Sequence, residues 1–262
     1  MPFRRSVDSI AMVLRAAFHI HSTWSYDGSW TLPQIASAFA ARSYNLLLVS
    51  EHDRGFSEER LRDHRRACKA VSNDRILLIP GIEYSDPTNT VHILVWGDVP
   101  FLGEGRQTLD VLQQAGEHGG VCVFAHPARK AAWQAFRKEW LGYLAGIEVW
   151  NRKTDGWSPG REAGQLVLET GASPLVGIDF HTAKQFFPLA VLMNVEGSVD
   201  ERKVLDALRL GKFHCEAFGV DFDIFTRGLA GSLIKLLESF RRLAARILRF
   251  RPFRSRSSQS PS

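Results

Sequence analysis

Cysteine is scarce in this chain, and the three that occur, Cys68, Cys122 and Cys215, are widely spaced and form no C-x-x-C pair. That argues against disulfides and for buried thiols in a reducing, cytoplasmic compartment. No apolar run reaches membrane-spanning length. Near the start, Arg4 and Arg5 precede only the short patch Ile10 to Leu14, with no small-residue cleavage site, so a secretory signal is not expected. A dinucleotide fingerprint is missing as well: Gly103-Glu-Gly105-Arg-Gln-Thr108 lacks the third glycine and follows no convincing strand. Positive charge is not in excess outside the C-terminal segment. From Arg227 onward nine Arg and Lys face one acid, Glu238, whereas the whole chain carries only +5, so the preceding part is slightly acidic. Nucleic acid is therefore not expected as a partner, except as a substrate.

What is present suffices for one large domain: 262 residues, 45% of them hydrophobic and 23% charged. Strand-like apolar runs at 16–20, 46–50, 76–79, 91–96, 121–125, 147–150, 175–178 and 189–195 alternate with helix-like segments. The helix candidates are 32–42, 58–71, 108–118, 131–144, 161–170 and 200–210. Pro33 suits a first helical turn, and Ser57 ahead of Glu58 and Glu59 suits a cap. Seven or eight such β/α units favour a barrel over a dinucleotide-binding sheet. The expected division is an extension over 1–15, a barrel domain over 16–220, and a basic amphipathic helix with a disordered Ser-rich end over 221–262. In that last part Leu229, Leu233, Leu236, Phe240, Leu243 and Ile247 recur at spacings of four and three, with arginines on the other side. The stripe is expected to pack across the barrel or a second subunit. Anionic lipid is the alternative, which would make the protein peripheral at a membrane.

The chemistry lies in a dispersed series. His19-Ile-His21 places two imidazoles on one side of a strand. Asp27 follows on a turn, and Glu51-His52-Asp53 follows the run Leu46–Ser50. Gly81-Ile-Glu83, His92 within a strand, Ala125-His126-Pro127 and Gly177-Ile-Asp179-Phe-His181 complete it. A single histidine beside a strand is ordinarily a surface or core residue, and His64, His118 and His214 are read that way. So many ligand-type residues at the same end of successive strands point to a shared metal site, because that end is where barrel enzymes build theirs. Mixed imidazole and carboxylate donors suit Mn²⁺, Zn²⁺ or Fe²⁺.

Taken in order, H-x-H, a strand-end histidine, G-x-E, A-H-P and G-x-D-x-H resemble the motifs of the PHP (polymerase and histidinol phosphatase) superfamily, over about residues 16 to 220. The resemblance implies an α/β fold, a distorted (β/α)₇ TIM-like barrel, holding two or three divalent metal ions. It implies a first metal held by His19, His21, Glu83 and Asp179. Glu83 would bridge to a second with His92 and His126, and Asp27, His52 and His181 would hold a third. The family often carries an acid before H-x-H and an Asp before the second-motif histidine, where this chain has Ala17-Phe18 and Glu51.

The reaction expected is hydrolysis of a small-molecule phosphate ester by a hydroxide held between the ions. Asp179 and His181 are the catalytic candidates for moving the proton. Arg129, Asn151 and Lys184 are the substrate-binding candidates, with a solvated, purely structural Arg129 as the plainer reading. Histidinol-phosphatase-like and 3′–5′ exonuclease-like action are alternatives within the family. Outside it stands a metal-binding module recruited to a membrane or partner by the basic tail. Gly156-Trp-Ser158-Pro-Gly160 mimics a serine-hydrolase elbow, but Pro159 lacks the N–H that an oxyanion would need.

Overall fold

Local signals set the helices. In the computed structural model, which describes residues 11–226 and 228–249, Ser57 accepts a hydrogen bond from the Arg60 N–H. It thereby caps α2 (Glu58–Val71), whose first turn carries Glu58 and Glu59. α1 (Leu32–Ala40) begins with Pro33 in its first turn and buries Leu32, Ile35, Ala36 and Phe39. Strand β1 (Ala11–Ile20) precedes it, and β2 (Leu46–Val49) and β3 (Glu51–His52) lie between the two helices. β4 (Leu77–Ile79), β5 (Gly81–Ser85), β6 (His92–Trp96), α3 (Thr108–Glu117) and β7 (Val121–Ala125) follow. β8 (Leu144–Asn151), α4 (Arg152–Asp155), α5 (Arg161–Thr170), β9 (Pro174–Gly177), β10 (Leu189–Glu196) and α6 (Glu201–Arg209) come next. β11 (Phe213–Ala217), β12 (Val220–Asp221), α7 (Asp223–Thr226) and α8 (Gly228–Arg249) close the described chain.

The strands form two six-stranded mixed sheets, ordered β12-β11-β10-β1-β2-β4 and β3-β5-β6-β7-β8-β9. Hydrogen bonds join them where the Ile178 and Phe180 amides donate to Phe18 and His19 of β1, and the His21 amide to Phe180. Phe18 and Trp96 meet edge to face at 5.6 Å in the core, and the Trp96 indole donates to the Val49 carbonyl. Each such buried aromatic contributes roughly 1.5–3 kcal/mol.

Several expectations are corrected. The β/α alternation is interrupted, because β5 pairs antiparallel with β6, and β6 with β7. The linker 86–91 is too short for the crossover that a parallel pair needs. β3, β5, β11 and β12 lie outside the expected strand runs. β1 starts at Ala11 and pairs antiparallel with β10, so the expected boundary at residue 15 falls inside a strand, as the one at 220 falls inside β12. In place of a helix over 131–144 there are two short 3₁₀ turns, Arg129–Ala135 and Lys138–Gly142, with Lys130 and Ala131 in the left-handed region. Trp133, Phe136 and Trp140 have helical spacing, but Phe136 and Trp140 pack on Phe124 from separate turns. Finally, α8 meets the body through Ile234 and Glu238, and its leucine stripe faces outward. Residues 1–10 and the Ser-rich end expected to be disordered lie outside the described residues. The three cysteines are buried and unpaired.

Candidate metal centre

One edge of the two sheets gathers the histidines. β1, β2 and β3, β7 and β9 point their C-terminal ends there. β6 runs the other way, so its first residue, His92, lies level with Ser85 and Ala125. Getting the donors into position strains the backbone. His19 sits in a register shift between β1 and β2 with φ of 64°, and His126 and Asp179 are also left-handed, at 30° and 52°. Such non-glycine conformations cost on the order of 1–3 kcal/mol each and cluster at functional sites. Gly28 lets the Asp27 turn fold onto the Ser22 carbonyl, where any Cβ would collide.

Glu83, buried on β5, is the centre. Its carboxylate lies 2.6 Å from His92 Nδ1, 2.9 Å from His126 Nε2 and 2.9 Å from His52 Nδ1. His19 Nε2 and His21 Nε2 are each 3.4 Å away. Asp179 Oδ1 lies 3.8 Å from His19 Nε2, 3.7 Å from His21 Nε2 and 3.3 Å from His181 Nδ1. Asp27 spans His52 at 3.3 Å and His181 at 3.2 Å. All nine residues expected as ligands therefore lie in one cluster. Four subsets bring their donor atoms within 4.8 Å of one another: His21, His52 and His181; His19, His126 and Asp179; His19, His21 and Glu83; and Glu83, His92 and His126.

The electrostatics of this cluster fit cations. Burial lowers the His19 pKa, but Glu148, Asp179 and Glu83 hold it well above its ordinary value. Two residues on, burial and then His181 and His52 push His21 well below. Against burial, Glu83 and Asp27 carry His52 up to about 10. Also against burial, His92, His19 and His52 hold Glu83 well below the usual carboxylate range. One carboxylate cannot satisfy five imidazoles, and His19 Nε2 and His21 Nε2 are buried without a hydrogen-bond partner. Orphaned imidazole nitrogens beside ionised carboxylates are what a divalent ion coordinates.

An outer layer orients these donors. Glu148 accepts from His19 Nδ1 at 2.9 Å, from the His126 amide at 2.9 Å and from Asn151 Nδ2 at 2.9 Å. Gly177 on β9 leaves the space that Glu148 fills. Glu51 accepts from the Ser22 and Ser25 hydroxyls, and Ser25 Oγ lies 3.3 Å from His21 Nδ1. The departure at position 51 thus supports a ligand without joining the ligand set. His64 is buried 3.7 Å from Glu51, away from the centre, as a core residue.

Above the centre opens a cavity of about 390 Å³, walled in part by Tyr26, Arg54, Asn89, Arg129 and Lys153. Arg129 lines it as expected, donating to Asn89 Oδ1 and lying 3.0 Å from His92 Nε2. Asn151 does not line it. It is fully buried, and its amide is engaged by Glu148 and by the Thr154 N–H that it caps. Lys184 is exposed on the turn Ala183–Gln185, outside the cavity wall. Lys153 takes the expected cationic place, with Nζ 3.0 Å from His181 Nε2 and 3.6 Å from Asp179 Oδ1. Its signal was weak, a lysine two residues past a strand end. Glu148 had a better one, a lone acid inside the apolar run Ile147–Trp150. Ser158 is not on the cavity wall, which removes the serine-hydrolase reading.

The sequence matches no family model and no curated protein. Its fold is shared with solved structures. A two-domain protein from Bacteroides vulgatus containing a predicted PHP-like metal-dependent phosphoesterase superposes with a TM-score of 0.58 at 20% identity, over 83% of this chain and 70% of that one. PsfC from Pseudomonas syringae gives 0.58 at 15% identity, over 86% and 99%. The lesion-specific endonuclease EndoQ from Pyrococcus furiosus gives 0.55 at 18% identity, over 80% of this chain and 60% of that one. The chain has the α/β fold of PHP-like proteins.

Proposed function

We propose that this chain is a metal-dependent hydrolase of small phosphate esters. The observation that carries the reading is the convergence of five histidines on Glu83, with two imidazole nitrogens buried and unpartnered. In this reading His19, His21, Asp27, His52, Glu83, His92, His126, Asp179 and His181 hold two or three divalent ions. Bound there, the ions would acidify water and stabilise charge on phosphoryl oxygens.

The chain's own residues do the rest. Against burial, His19 and Lys153 hold the Asp179 carboxyl at about 2, so it is an ionised acceptor at neutral pH. His181, beside Asp27, Asp179 and Lys153, is the group that moves a proton. Arg129, beside His92, and Lys153, beside His181 and Asp179, bind phosphate oxygens through charge-assisted hydrogen bonds. A cavity of about 390 Å³ is of the size that takes a small ester.

Metal analysis of the purified protein, followed by a phosphatase substrate panel with Mn²⁺ or Zn²⁺ restored, tests the reading. Bound metal and activity lost on chelation are expected. Full activity after exhaustive chelation would refute it.

A further inference from the structure

α8 turns Ile234 and one acid, Glu238, towards the body, with Arg241 half-buried beside them, while Lys235, Arg242 and Arg246 stay exposed. Glu238 is buried beneath it and accepts from the Trp157 amide at 3.0 Å, from Arg241 Nε at 2.7 Å and from Arg242 Nε at 2.6 Å. Arg242 also donates to the Asp155 carbonyl. The bonds to Trp157 and Asp155 fix the rotation of the helix against the body, and that rotation turns its apolar stripe to solvent. Leu229 is 91% exposed, Phe240 59% and Leu233 57%, with Leu236, Leu237 and Leu243 near one half. A contiguous apolar face of this kind marks a contact surface.

We propose that this outward face is an interfacial helix that seats the protein on an anionic lipid surface. Two observations select lipid over a second copy of the chain. First, from Arg227 onward nine basic residues face one acid, and that acid is already engaged by two arginines. Two such helices would set cation against cation with nothing to pair them, whereas anionic headgroups neutralise both. Second, Leu237 broadens the stripe beyond the narrow seam of a two-helix coil, into a band suited to a flat acyl boundary.

Sedimentation of the full-length protein with vesicles tests this, using phosphatidylcholine alone or mixed with phosphatidylglycerol, at low and high salt. Binding confined to the anionic vesicles and released by salt is expected. Arg246→Ala should weaken it about fivefold, the equivalent of roughly 1 kcal/mol per arginine at such a surface. Leu233→Glu with Phe240→Glu, both at exposed positions, should abolish pelleting while the melting temperature stays unchanged. Phe240→Trp supplies a readout independent of loss: brominated acyl chains should quench it in anionic vesicles. The proposal fails if the wild-type protein stays in the supernatant, or if it binds neutral and anionic vesicles alike. It also fails if light scattering finds a dimer that Leu233→Glu dissociates.

Discussion

Glu83 is the residue on which the centre turns, because it faces imidazoles from β1, β3, β6 and the segment after β7. Glu83→Ala should remove metal and activity together, measured by metal content and turnover on the same sample. Glu148→Gln should keep the fold but loosen the His19 ring and the His126 amide. A loss of about 10–100-fold in metal affinity is expected, as for other outer-layer partners of metal-bound histidines. Lys153→Met should leave metal content intact while lowering kcat/KM by about 10²-fold, the usual cost of one donor to a developing oxyanion. Unchanged kinetics would exclude Lys153 from phosphate binding. At this scale the donor residues were legible in the sequence, since short motifs keep their chemistry visible. Glu148, Lys153 and the true position of Asn151 were not. Glu148 left a trace, a lone acid in an apolar run, but its partners His19 and His126 lie far away in the chain, as do the His181 and Asp179 that Lys153 meets.

Elements show where spacing misleads. The aromatic residues between 131 and 144 repeat as a helix would, yet Phe136 and Trp140 pack on Phe124 from separate turns. The α8 stripe is a true amphipathic pattern, but it faces outward, because the helix is tied to the body through buried Glu238, which accepts from the Trp157 amide, and through Arg242, which donates to the Asp155 carbonyl. Arg241 and Arg242, with the Trp157 amide, hold the Glu238 carboxyl at about 2 against burial. A depressed acid stabilises the folded state above its ordinary pKa of 4.5. That stabilisation fades as the pH falls from there towards about 2. Proteolysis of α8 should therefore accelerate on acidification through this window in the wild type. In Glu238→Gln it should be fast at neutral pH and respond less to acid.

For the whole molecule, metal and proton both act on stability. A cluster of buried imidazoles and carboxylates is under-satisfied without cations, so Mn²⁺ or Zn²⁺ should raise the melting temperature and chelation lower it. At a hundredfold excess over the dissociation constant, one ion adds about 2.7 kcal/mol. Asp155 has the opposite sign from Glu238. Burial pushes its carboxyl up to about 7, from 3.8. The native state then binds this proton more tightly than the unfolded chain does. Stability falls as the pH rises from about 4 to about 7, by at most on the order of 4 kcal/mol. Urea unfolding at about pH 5 and about pH 8 should show a smaller difference in Asp155→Asn than in wild type. An equal difference would mean that Asp155 does not titrate in this range.

From the residues alone came the α/β class and the nine donors at strand ends. Hydrophobic period and motif chemistry are local properties, written in a few consecutive side chains. The antiparallel turn of β5 and β6, the bulge at His19, the seat of Glu148 and the outward face of α8 were decided only by tertiary structure. Each depends on contacts between segments far apart in the chain, where packing and buried charge override what any one segment prefers.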